Sequence, residues 1–140
     1  MAFFDYSKVF DTVWREKLLL KMRENGIPGT FIRWTADFLD NRRARVLYQT
    51  TLSNTRRFRQ GTPQGSVLSP LLFLLFIDDV TNRLPPECAL FMDDLSVWSS
   101  NSDRNIAAAE VQNAVNEVDS WSSENKFQLN VQKCEVSYFG

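Results

Sequence analysis

Short apolar runs, two of them joined through a pair of carboxylates, alternate along this chain with longer stretches in which apolar residues recur every three or four positions. The first run, Ala2-Phe3-Phe4, ends in Asp5, and the runs Ala89-Leu90-Phe91-Met92 and Leu95-Ser96-Val97-Trp98 enclose only Asp93 and Asp94. Their Phe, Leu, Val and Trp content reads as buried strands, and the short gap between the later two predicts a tight hairpin with both aspartates at its tip. Between the strands, Asp11-Thr12 offers a cap for a helix in which Val13, Leu18, Leu19 and Met22 share a face until Asn25-Gly26 stops it. A second helix is expected from Thr30 to Asn41, its Phe31, Trp34, Phe38 and Leu39 facing a core. Leu71 to Ile77 is apolar all round, which predicts a helix packed under a sheet and ending near Leu84-Pro85-Pro86. Ser102-Asp103 opens a long helix striped by Val111, Val115, Val118 and Trp121, expected to cover the sheet. Residues 127–136 then turn into a final strand, and the apolar run at 136–139 reads as a strand cut short, as in a fragment of a longer protein.

Two connections stand apart from this alternation. Ala44 to Gln49 and Thr55 to Gln60 flank Ser53-Asn54 and predict a hairpin with guanidinium groups on its outward positions. The second, Gln60-Gly61-Thr62-Pro63-Gln64-Gly65-Ser66-Val67-Leu68-Ser69-Pro70, holds two glycines that let a backbone approach a flat ligand. The same loop also fits a plain helix N-terminus capped by Ser66.

Composition narrows the class. A chain of 140 residues with 44% hydrophobic and 24% charged residues is of single-domain globular size. Its longest apolar run, Val67 to Ile77, falls well short of the roughly 20 residues a spanning helix needs, so no membrane partner is expected. There is no histidine, and Cys88 and Cys134 lie far apart, which excludes a zinc site and fits an intracellular address. The net charge of −1 does not announce a polyanion binder, yet residues 40–60 carry Arg42, Arg43, Arg45, Arg56, Arg57 and Arg59 against Asp40 alone, a local +5. Those arginines are either a phosphate-contacting surface or the charged guard of an edge hairpin.

The carboxylates carry the candidate chemistry. Adjacent anions repel, so Asp93-Asp94 implies either a solvated turn or a bound cation. Asp5, at the end of another buried strand, would complete an oxygen-ligand cluster suited to Mg²⁺ if the two strands were neighbours. Two such ions about 3.5 to 4 Å apart clamp the attacking and leaving oxygens of a phosphoryl transfer.

Taken in order, a strand ending in Asp, a Gln-Gly loop and helix, a strand hairpin with Asp-Asp, a helix and Asn-x-x-Lys resemble the palm of reverse transcriptases, most closely those of non-LTR retrotransposons. The resemblance spans nearly the whole chain and rests on Phe4-Asp5-Tyr6-Ser7-Lys8-Val9-Phe10-Asp11, on Gln60 to Pro70, and on Phe91-Met92-Asp93-Asp94. It implies an α+β polymerase palm over residues 1–140, with a central antiparallel sheet, helices packed on one face, and an Arg-rich β-hairpin. It implies RNA-directed DNA synthesis, in which a primer 3′-hydroxyl attacks a deoxynucleoside triphosphate. Asp5, Asp93 and Asp94 would hold two Mg²⁺, with Mn²⁺ as a substitute, and the Tyr6 carbonyl would complete the nucleotide-side metal. Phe10 would lie beneath the nucleotide sugar and exclude a 2′-hydroxyl, Gln64 and Gly65 would line the nascent base pair, and Lys133 would donate a proton to pyrophosphate. Two positions depart from the usual pattern: Met92 stands where small residues are more usual in this subfamily, and Val9 where alanine is.

The expected partners are an RNA template, a DNA primer, a dNTP and the rest of a polyprotein: fingers upstream, a thumb downstream and an endonuclease in some elements. The nucleus is the expected address for a retroelement, and the segment by itself is expected to be inactive or feeble. Two other readings share these residues, an inactive palm-like remnant that binds nucleic acid weakly and the palm of a group II intron maturase.

Overall fold

The computed structural model describes residues 1–85 and 87–139. Its centre is a four-stranded antiparallel sheet made of β1 (Ala2–Phe4), β6 (Cys88–Phe91), β7 (Asp94–Val97) and β8 (Glu135–Val136), in the order β6-β7-β1-β8. Register follows from side-chain alternation. Ala2 pairs with Val97 and Phe4 with Leu95, and all four are buried, whereas the Phe3–Ser96 pair between them faces outward. One face of the sheet is therefore packed and the other open.

The packed face joins α4 (Leu68–Ile77) and α5 (Arg104–Glu124) in a single core that includes Phe73, Phe76, Ile77, Val118 and Trp121. Asp103 starts α5 as expected, its carboxylate accepting from the amides of Asn105 and Ile106. A 3-10 helix, Asp78–Arg83, continues α4, and Pro86 of the expected stop lies outside the described residues. No helix among the described residues is long and apolar enough to cross a membrane.

Several sequence expectations need correction. The helix predicted after Asp11-Thr12 is two helices, α1 (Val9–Thr12) and α2 (Arg15–Glu24), and Asp11 and Thr12 lie inside the first. Val13 and Trp14 take extended backbone angles between them, with ψ of 120° and 105°, and Val13 is wholly buried. A deeply anchored β-branched residue there breaks the helical path. In α3 (Gly29–Leu39) the expected core face is only partly used: Leu39 is buried, but Phe31 is 63% and Trp34 50% exposed. Trp34 instead stacks on Phe38, with ring centroids 5.3 Å apart. The apolar helix α4 is likewise not enclosed on all sides, since Leu71 and Leu74 are exposed.

The Arg-rich segment forms two short ladders. In β2 (Arg43–Ala44) and β5 (Arg56–Arg57), Arg43 pairs with Arg57 and Ala44 with Arg56; in β3 (Leu47–Tyr48) and β4 (Thr51–Leu52), Leu47 pairs with Leu52 and Tyr48 with Thr51. The turn therefore falls at Gln49-Thr50, where Gln49 has φ 54°, and not at Ser53-Asn54. Ser53, Asn54 and Thr55 lie opposite only Arg45 and Val46, a bulge in which the Val46 amide donates to the Ser53 hydroxyl at 2.9 Å.

At the far end of the core, Arg83 and Glu124 form a two-pronged ion pair that ties the 3-10 helix to the end of α5, one of its bonds 2.8 Å long. The Arg83 hydrogen bond holds the Glu124 carboxyl down at about 2, against an ordinary 4.5. A carboxylate with a depressed folded pKa contributes stability above its unfolded pKa and loses it as pH falls through the folded one. Acid titration of folding stability should thus show wild type losing a component between about pH 4.5 and pH 2 that Glu124→Gln lacks. Superimposable acid profiles would remove the pair from the stability account.

Candidate active site

Asp5 leaves β1 immediately after Phe4, and Asp94 precedes Leu95 in β7, so the Phe4–Leu95 pair sets these two residues at the same end of neighbouring strands. The β6–β7 ladder closes at Phe91–Asp94, which makes Met92 and Asp93 the turn and Asp94 the first strand residue. This corrects the expectation that both aspartates occupy the tip. Met92 has φ 56°, a left-handed conformation that costs a non-glycine residue about 1–2 kcal/mol. Strain of this kind persists only where the surroundings hold it.

The backbone of Asp5 is pinned from the other side. Its carbonyl accepts from the Asn130 amide at 2.8 Å, and the Ser7 amide donates to the Gln128 carbonyl at 2.9 Å, around an isolated bridge between Tyr6 and Leu129. That pattern uses the groups flanking Tyr6 and leaves the Tyr6 carbonyl out of the ladder. The Tyr6 ring is buried against Phe127 and Trp121, and burial, partly offset by the Ser122 hydroxyl, pushes its phenol up to about 12. It stays neutral in ordinary conditions and serves as packing.

Asn130 also accepts from the Lys133 amide, and this turn brings Lys133 Nζ to 3.7 Å from Asp5 Oδ2. At that distance the contact is coulombic. The Asn-x-x-Lys spacing thus has a physical content: its first residue holds the Asp5 backbone and its last faces the Asp5 side chain.

Oxygen-only donors on adjacent strand ends fit a hard divalent cation in chemistry and in register. Their side chains do not converge as they stand, for among the described residues no group of three or more His, Cys, Asp or Glu is placed to hold a metal ion. Asp5 and Asp93 are half-buried and Asp94 is exposed, facing the open side of the sheet. The cation beside Asp5 is Lys133.

Phe10, Gln64 and Gly65 are brought together. With Ser66, Ser69 and Pro70 they line an open cavity of about 500 Å³. Phe10 packs on Phe73 with ring centroids 5.3 Å apart, which fixes the floor of that cavity from α4. Ser66 accepts from the Leu68 amide at 3.3 Å, although the residue at the helix cap is Val67.

Sequence reasoning missed what holds this loop. Arg15 donates through Nε to the Gly61 carbonyl at 2.8 Å and through its two terminal nitrogens to Phe58 and Gln60 at 3.0 Å each. Burial, then the neighbouring Arg42 charge, lowers its pKa. A cation in the first turn of a helix opposes the helix dipole, and that misplacement was the available signal of a tertiary role. Gly61 (φ 79°) lies so close to α1 that an added Cβ would stand 2.6 Å from the Asp11 carbonyl oxygen.

The arginines singled out in residues 40–60 are all exposed, but they do not converge on this cavity. Arg57 pairs with Asp40 at 3.0 Å and Arg45 with the Thr55 hydroxyl at 2.7 Å. Arg43 and Arg57 stand directly opposite each other, and the Asp40 carboxylate on Arg57 offsets part of the like-charge repulsion between them.

Comparison with known proteins decides the lineage. A family model described as reverse transcriptase (RNA-dependent DNA polymerase) matches residues 1–138. The chain belongs to the reverse transcriptase family. It is 30% identical over 94% of its length to a probable RNA-directed DNA polymerase from transposon BS of Drosophila melanogaster. It is 27% identical over 95% of its length to the RNA-directed DNA polymerase from mobile element jockey of the same species. Against the Pol polyprotein from type-1 retrotransposable element R2 of Popillia japonica it is 27% identical over 93% of its length. The chain spans 15% of the length of the first two relatives and 23% of the third. As a member of that family, it matches relatives named for transposons, mobile elements and a type-1 retrotransposable element.

Of the three left-handed glycines among the described residues, Gly26, Gly61 and Gly65, the first two give a paired test of the loop's close approach. Gly61→Ala should cost about 2–5 kcal/mol, from backbone strain and overpacking together. Gly26→Ala, with open space around its Cβ position, should cost only about 1–2 kcal/mol. Urea denaturation measures both, and equal losses would mean that the contact with Asp11 is not felt.

Proposed function

We propose that this chain is the palm of a retroelement RNA-directed DNA polymerase that extends a primer 3′-hydroxyl with deoxynucleotides along an RNA template. The observation that carries the reading is the β1–β7 register, which sets Asp5 beside Asp94 and one residue from the Asp93 turn. Asp5, Asp93 and Asp94 would hold two Mg²⁺, or Mn²⁺ in their place. When bound, such ions lower the pKa of a hydroxyl nucleophile and offset charge on a leaving pyrophosphate.

The chain's own residues supply position. Phe10, backed by Phe73, lines the cavity where a sugar would lie and would exclude a 2′-hydroxyl by size. Gln64 and Gly65 form the wall facing it. Lys133, already within 3.7 Å of Asp5, is placed to hold a proton near a leaving group. The exposed arginines of the two short ladders give template or primer phosphates a contact surface. The other segments of the polyprotein are the natural partners, and the nucleus is the proposed address.

Within a complete polymerase, Asp5→Ala or Asp93→Ala should lower incorporation by on the order of 10³. Phe10→Ala should relax discrimination against ribonucleotides by about 10- to 200-fold. Single-nucleotide primer extension measures both; wild-type extension by Asp93→Ala would remove Asp93 from the metal ligands, whereas a complete chain with all three aspartates that extends no primer would favour an inactive remnant. Replacing Arg56, Arg57 and Arg59 together should flatten the plot of log affinity for primer-template against log salt by about 2 to 3 units of slope. An unchanged slope would leave those arginines as the guard of an exposed edge.

A further inference from the structure

The loop from Gln60 to Gly65 is joined to α1 by more than backbone. Gln64 Nε2 donates to Asp11 Oδ1 at 2.9 Å, across 53 residues of sequence. A carboxylate can only accept, so the Gln64 amide must turn its nitrogen toward Asp11 and its oxygen away. None of the hydrogen bonds among the described residues engages that oxygen, and Gln64 lines the cavity beside Phe10. One N–H of the Gln64 amide is thus committed to Asp11.

We propose that Asp11 is a positioning residue for nucleotide selection: by holding the Gln64 amide nitrogen it presents the Gln64 carbonyl oxygen as an acceptor for a hydroxyl or amino donor of the incoming nucleotide. This rests on the polymerase reading above. It names the polarity that the cavity wall offers and the residue that sets it.

The alternative, that the pair merely fastens the loop, fits poorly with how the loop is already fastened. The Gly61 amide donates to the Val13 carbonyl at 2.8 Å, the Thr62 amide to the Phe10 carbonyl at 2.6 Å, and Arg15 grips three further carbonyls. Asp11 and Gln64 are both exposed, and a solvated side-chain hydrogen bond adds little to folding. What the bond does fix is one torsional choice: which end of an otherwise freely rotating amide faces the cavity. The neighbouring geometry keeps that choice local. Gly61 lies directly against the Asp11 carbonyl, so the loop backbone sits next to the residue that carries the carboxylate.

The test is steady-state single-nucleotide extension by a full-length polymerase carrying this chain, comparing Asp11→Ala, Gln64→Ala and the double variant. Asp11→Ala should raise KM for the nucleotide about tenfold, with kcat changed by less than about threefold. Adding it to Gln64→Ala should change KM by less than about twofold, because Asp11 acts through Gln64. Thermal melting should place both single variants within about 2 °C of wild type, the size of a small surface effect. A wild-type KM in Asp11→Ala, or effects of the two substitutions that multiply in the double variant, would overturn the inference. The unsubstituted polymerase run in parallel separates this from the underlying reading: its extension beside an unaffected Asp11→Ala overturns the role of Asp11 alone, whereas its failure to extend any primer overturns the polymerase reading.

Discussion

Everything at the candidate site depends on the pairing of β1 with β7. A three-residue strand has almost no stability by itself, and β1 persists because it is paired on both sides, by β7 and by β8, with Ala2 and Phe4 driven into the core. The chain end is tied in as well, the Met1 ammonium donating to the Ser137 carbonyl and the Ser137 amide to the Met1 carbonyl, each at 2.9 Å. A slip of one residue would turn Phe4 and Leu95 outward and carry Asp5 away from Asp94. The hydrophobic pattern that folds the sheet is therefore also what sets the spacing of the acids.

Beneath that sheet, the helices are locked by a buried cation. Lys21 of α2 is buried, donates to the Phe76 carbonyl and to Asp79 at 2.6 Å each, and lies over the rings of Phe76 and Trp121. Trp121 in turn donates to the same Asp79 oxygen at 2.9 Å. Desolvation lowers the Lys21 pKa, with the Asp79 hydrogen bond opposing it. Breaking one member of such a group leaves another unpaired, so geometry here is specified more sharply than by apolar contact alone. Phe76 belongs to the helix that also carries Phe73, the support of Phe10, and the core thereby reaches the cavity wall.

What could be read from the residues alone follows a physical divide. The apolar content of Ala2-Phe3-Phe4 and Leu95-Ser96-Val97 located the strands, Asp103 located the start of α5, and the order of short motifs pointed to the family. These are local signals or sums of them. The break at Val13-Trp14 was invisible because the helical period continues through it, and only burial of Val13 shows why the path bends. Phe31 and Trp34 satisfied the same period yet lie exposed, since periodicity reports an apolar face and not what covers it. The turn at Gln49-Thr50 lacks glycine or proline and was passed over for Ser53-Asn54, whose side-chain chemistry suits a bulge equally well. Arg15 and Asp11 act across dozens of residues, on partners no local pattern names.

The acid site divides rigid parts from loose ones. Backbone positions are fixed: Asp5 by Asn130 and the β1 ladder, Asp94 by Phe91, Asp93 by a turn with a strained Met92 beside it. The carboxylates are held far less firmly, and the pairing that restrains Asp5, to the largely exposed Lys133, is of a class worth about 0–1 kcal/mol. A divalent cation, with twice the charge and direct oxygen coordination, would outweigh that contact without disturbing any ladder. Were the carboxylates instead locked together by the fold, their mutual repulsion would burden the protein whenever no cation was bound. Fixed strand ends carrying movable acids place that cost in side-chain torsions and leave the sheet intact.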